Sequence, residues 1–177
     1  MIELTTEERR AAVLVRLQGA GSPLSGTKLA REFGVSRQII VGDISILRAE
    51  GEKIYATPRG YVMPESKGAE GLLVSFICRH SKEEMEKELL AFVDNGGEVL
   101  DVIVEHPVYG PLKADLLIAS RRDVKNFLSK MQKCEAAPIS LVTGGLHVHT
   151  VRLPDEEALE AVKDELEGFG ILEETGV

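Results

Sequence analysis

The chain has 177 residues, enough for one ordinary domain or two small ones, and its 44% apolar and 28% charged residues are the balance of a soluble globular protein. No apolar run approaches the roughly 18 residues of a membrane span. The net charge of −8 argues at first against a nucleic-acid partner, but it is unevenly spread: nine Lys/Arg face eight Asp/Glu in residues 1–65, against twelve and twenty-one in 66–177. That asymmetry predicts two domains with different partners, 1–65 and 72–177, joined by a polar, Gly- and Pro-containing linker at 66–71. The acidic opening residues 1–8 lack the form of a signal peptide, and Cys78 and Cys134 stand in no CxxC pair. A cytoplasmic protein with free thiols is expected.

In chain order, Thr6 reads as the cap of a first helix whose apolar stripe is Ala11, Val13, Leu14 and Leu17. Gly19 and Gly21 stop it. Ser25 caps a short second helix over 27–33, Gly34 supplies a sharp turn, and Ser36 caps a third helix from Arg37 to about Ala49. Helix, glycine turn and capped helix make a helix-turn-helix, in which the second helix of the pair enters the major groove. Its first outward positions, Ser36, Arg37, Gln38 and Val41, are the candidate base-reading residues, since Arg can pair with guanine and Gln with adenine. Asp43 would repel phosphate and reads instead as the partner of a nearby Arg. Residues 53–56 and 60–63 form a hairpin, a wing, with Arg59 at its tip placed for a phosphate or the minor groove. The string from Ala30 to Gln38 resembles the winged helix-turn-helix of bacterial regulators and of biotin-protein ligase repressors. Gly42 departs from that pattern, standing where many relatives carry a polar or basic residue.

Beyond the linker the pattern predicts a strand at 72–80, a helix from Ser81 to about Asp94 and strands at 98–106 and 112–119. A helix from Arg121 to about Lys133, a strand at 146–153 and a helix capped by Asp155 follow. The order β-α-β-β-α-β-α gives an α+β sandwich with helices on one face of a sheet. The last strand carries His147 and His149, whose side chains leave the same face two residues apart and form a chelating pair for a divalent transition metal. His80 ends the first strand, ahead of a helix rich in glutamate.

The strings Arg79-His80, Val104 to Gly110 and Gly145 to Thr150 look like the three-histidine domain. Joined to this helix-turn-helix, it resembles the niacin-responsive transcription repressors of the NiaR family over essentially the whole chain. The resemblance implies an HPr-like second domain and a dimeric repressor of NAD-precursor genes that binds double-stranded operator DNA. It implies nicotinic acid as corepressor and one divalent transition metal, zinc, nickel or iron, held by His80, Glu88, His147 and His149. His106, with Tyr109 as a stacking partner, and the cations Arg79 and Lys113 are the candidate contacts for the pyridine carboxylate. His106 reads equally as a structural histidine bonding a backbone carbonyl. The alternative is a metal-dependent enzyme domain on a DNA-binding head, since an open site of three histidines and a carboxylate can activate water. The absence of a phosphate loop, a GxSxG or a separate general base argues against it.

Overall fold

A computed structural model describes residues 4–63 and 71–176, which fall into two compact units, Met1–Lys67 and Gly68–Val177. The expected linker, apart from Gly71, lies outside the described residues. Among the described residues no helix is long and apolar enough to cross a membrane.

The first unit is built from α1 (Thr6–Gln18), α2 (Gly26–Glu32), α3 (Arg37–Ala49), β1 (Tyr55–Thr57) and β2 (Gly60–Val62). The cap of α1 is Thr5 rather than Thr6: Thr5 and Glu8 close a reciprocal capping box. Ser25 and Ser36 cap α2 and α3 as expected, accepting from the amides of Lys28 and Ile39. Val13, Leu17, Leu29, Ile40, Ile44, Leu47 and Ile54 form the core. Asp43 is buried on the inner side of α3, where the Arg9 guanidinium of α1 grips it by two bonds of 2.7 and 3.1 Å. It is the partner of a nearby Arg, as the sequence reading expects. The wing is fixed by Gly60, whose left-handed backbone runs so close to the Leu24 carbonyl that no side chain fits between them.

The second unit contains β3 (Leu72–Arg79), a 3-10 turn Lys82–Glu84, α4 (Met85–Asp94), β4 (Glu98–His106), β5 (Gly110–Ile118), α5 (Arg121–Lys133), a 3-10 segment Ile139–Thr143, β6 (Leu146–Leu153), α6 (Glu156–Gly168) and β7 (Leu172–Gly176). The order is the expected one with one addition, the edge strand β7. The five strands are antiparallel in the order β5-β4-β6-β3-β7, so β6 is central. Val74, Phe76, Phe92, Val99, Val151, Val162 and Leu166 form the core between sheet and helices.

One irregularity in the sheet positions the site. From the pair Val99–Val151 to the pair Ile103–Val148, four steps along β4 match three along β6. The extra residue is a bulge, which re-aims the local backbone. Beside it, Leu117 of β5 adopts φ of 50°, an uncommon conformation for a leucine.

Candidate metal centre and its adjoining cavity

Strand period two brings His147 and His149 to the helix side of β6, where both are buried. His80 arrives from the end of β3, which pairs with β6, and Glu88 from one turn inside α4. Glu88 is only 1% exposed and is the hub of the cluster. Its Oε2 lies 2.7 Å from His80 Nε2 and 3.3 Å from His149 Nε2, and its Oε1 lies 2.9 Å from His147 Nε2. The donor atoms of His80, Glu88 and His147 all lie within 4.8 Å of one another; His149 stands just outside that tightest set.

The far side of each ring decides what this cluster can do. The Nδ1 of His80 donates to the Ser81 carbonyl at 2.7 Å, that of His147 to the Gly145 carbonyl at 2.8 Å, and that of His149 to the Asp101 carbonyl at 2.7 Å. Carbonyls only accept, so all three rings carry a proton on Nδ1, and in a neutral ring Nε2 is then a bare lone pair. Three such lone pairs converge on a carboxylate that is itself an acceptor. Buried together, these groups need positive charge among them, either extra protons on the rings or a cation. Backbone carbonyls holding the outer nitrogens are the arrangement by which proteins orient metal-ligating histidines. The donor set therefore fits a divalent ion that takes nitrogen and oxygen ligands.

Sequence reasoning missed three supports. Asp101 sits at the β4 bulge, and the extra residue there turns its carbonyl onto His149; its buried carboxylate accepts from the Thr150 amide and pairs with Lys113 at 3.1 Å. The Gly145 carbonyl also accepts from the His80 amide at 3.4 Å, and at φ of 93° a Cβ on Gly145 would meet the His80 carbonyl at 2.5 Å. The third is the Ser81 carbonyl. Of these only the glycine pair before the HxH left a readable signal. Cys78, opposite His147 in register, stays a protonated thiol: burial first, and the charge of Glu88 second, push its pKa up.

Burial opposes charge on His80 and His149, yet their bonds and attraction to Glu88 outweigh it and both are raised above 6.5. Burial likewise opposes ionisation of Glu88, but the charge of His149 and the three imidazole bonds hold it well below 4.5. In metal-free protein the raised histidines contribute stability that is complete below about 6.5 and lost as pH rises through their folded values. The lowered Glu88 contributes stability that is lost only when pH falls through its own depressed value. Metal-free protein is thus expected to melt at falling temperature as pH climbs above 6.5. An added divalent ion, which needs unprotonated rings, should reverse that slope. Melting curves from pH 6 to 9 with chelator and with metal check this; a metal-free melt that is flat or rises with pH counts against it.

The cluster lines part of a cavity of about 200 Å³. Its walls are apolar, with Met85, Val102, Leu116, Phe127, Met131 and Ile139 among them, and Ser140 is the one polar side chain away from the cluster. Among the described residues no lysine or arginine lines it. The sequence-predicted contacts for a pyridine carboxylate lie elsewhere. The Arg79 guanidinium bonds Glu173 at 3.1 Å, and Lys113 is held by Asp101 and Asp115. His106 Nδ1 accepts from the amides of Val108 and Tyr109, both at 3.1 Å, so this histidine braces a hairpin tip by accepting amides rather than by bonding a carbonyl. Tyr109 stacks on it, ring centroids 4.7 Å apart, and is 75% exposed. None of the four lines the cavity.

On the first unit, Ser36, Arg37, Gln38 and Val41 are all exposed along the first turns of α3, and Arg59 is exposed at the turn of the wing. The Ser36 hydroxyl is occupied in capping, and the Arg37 side chain passes over Gly26 of α2.

Residues 74–175 match the 3H domain family and residues 9–62 an HTH domain family. The chain is 42% identical over 170 residues to the probable transcription repressor NiaR of Thermotoga maritima, covering 96% of each chain. It is 40% identical over 173 residues to the transcription repressor NadR of Bacillus subtilis, covering 97% of this chain and 96% of that one.

Proposed function

The chain belongs to the NiaR family of transcription repressors, and from that premise we propose that it is a metal-containing repressor of NAD-precursor genes with nicotinic acid as corepressor. That it is a DNA-binding repressor rather than an enzyme follows from the family, and the enzyme reading is set aside. The metal, the effector and a homodimeric state are the proposal. His80, Glu88, His147 and His149 would hold the ion. When bound, it would supply positive charge beside the cavity.

The observation that carries the effector reading is the charge of that cavity. It is of a size to take one small aromatic ring, with Phe127 and the thioethers of Met85 and Met131 as apolar walls. Yet it offers a carboxylate no cation of its own, only the carboxylate of Glu88. An anionic pyridine is excluded from such a place unless the histidine cluster carries positive charge. Above the raised folded values of His80 and His149, where the rings are neutral, effector binding should therefore depend on the metal. A dimer is proposed because a single unit presents one recognition helix and DNA half-sites are read in pairs.

A corepressor must bind the DNA-competent state more tightly than the other, and a tenfold gain in operator affinity requires about 1.4 kcal/mol of such preference. Operator titrations with and without nicotinic acid, on metal-loaded and on metal-free protein, test the reading. The expected result is a response of that order with metal and none without it. An undiminished response in metal-free protein would refute the metal-linked cavity.

A further inference from the structure

The outward side of α3 is unusual in its second turn, and that turn carries an inference resting on the DNA-binding reading. Polar base-reading groups are confined to the first turn, Arg37 and Gln38. In the second turn Asp43 points inward to Arg9. Ser45 donates its hydroxyl back to the Val41 carbonyl at 2.8 Å, which removes it as an outward donor. Val41 is 38% exposed one helical turn beyond Arg37 and Gln38, so the three side chains adjoin on one flank. Ile39 and Ile46 fall on the opposite flank. Gly42 follows in regular helix geometry, about 100° further round, between Gln38 and Ile46 on the outward surface, where an added Cβ would meet no atom within 4 Å. Glycine there weakens the helix, and nothing among the described residues requires it. The position is open to something that approaches from outside.

We infer that Val41 and Gly42 together read a thymine: the helix seats against the floor of the major groove where Gly42 leaves room, and the Val41 methyl groups contact the thymine 5-methyl. That methyl is the apolar mark which distinguishes thymine in the major groove. The half-site then holds a thymine adjacent to the bases met by Arg37 and Gln38, read by shape and burial with no hydrogen bond.

The test begins by selecting the preferred duplex from a random library with the full-length chain. Each thymine is then replaced singly by deoxyuridine, which removes only the 5-methyl. One thymine per half-site is expected to lose about fourfold in affinity on demethylation, the factor for roughly 0.8 kcal/mol per buried methyl group. In Val41→Ala that sensitivity should vanish at the same position and no other. Gly42→Ala is expected to raise the melting temperature while weakening the selected duplex at least tenfold. Demethylation that weakens no position, or weakens Val41→Ala as much as the parent, overturns the thymine contact. Gly42→Ala binding at full strength overturns the close approach. A selection that enriches no sequence would overturn the operator-binding reading itself, and this inference with it.

Discussion

Replacing His147 and His149 together by alanine is expected to abolish stoichiometric binding of divalent transition metal. The two imidazoles are half of the proposed donor set, and both lie within bonding distance of Glu88. Structural metal sites of this kind contribute on the order of 10 kcal/mol, so losing two donors of four should weaken binding by more than about a thousandfold. Metal content after dialysis, measured by mass spectrometry, gives the answer directly. Because the double replacement also empties buried volume, Glu88→Gln is the companion variant. It keeps size and shape but removes the charge, and it too should fail to retain metal while remaining folded. Full metal content in the double variant would refute the site.

The second large effect belongs to the other unit. Arg9→Ala should destabilise the DNA-binding unit by about 3–5 kcal/mol, because it strands a buried carboxylate. Asp43 has a side chain 4% exposed, and Arg9 only 13%, so water cannot replace the lost partner. Denaturant unfolding of Arg9→Ala, of Asp43→Ala and of the pair makes a double-mutant cycle. The pair should cost clearly less than the sum of the single changes. Strict additivity would show that the two bonds contribute no coupling. Operator binding should fall with Arg9→Ala while metal content stays unchanged, since the ion pair lies wholly within residues of the first unit.

These two predictions rest on features of different legibility. The HxH pair was readable because strand alternation places two imidazoles on one face whatever the neighbours are. The role of Asp43 was readable too, since an acid on a DNA-facing helix needs a cation of its own. The bounds of α3, α5 and β6 follow from strong periodicity and good caps. Strand β7 was not readable: Leu172, Glu173 and Glu174 carry no alternating apolar pattern, and the strand exists through its pairing with β3. Nor was the cavity. Met85, Val102, Leu116, Phe127 and Ile139 come from five separate elements, and each has the chemistry of an ordinary core residue. The sequence reading sought cations for an anionic ligand and so fixed on Arg79 and Lys113, which neighbouring carboxylates already hold. Asp101 escaped notice because its position depends on a bulge, a property of two strands in register rather than of one.

The segment from Ile139 to Gly145 has a double allegiance. Its first residues wall the cavity, and its last carbonyl accepts both the His147 ring and the His80 amide. The Gly145 amide in turn donates to the Ser140 carbonyl at 2.9 Å, closing the segment on itself. It is a short lever with the cavity at one arm and the histidine cluster at the other. Whatever occupies the cavity presses on the geometry of the histidine cluster, and whatever tightens that cluster reshapes the cavity. A substitution that reshapes this segment should therefore alter the cavity and the histidine cluster in the same step.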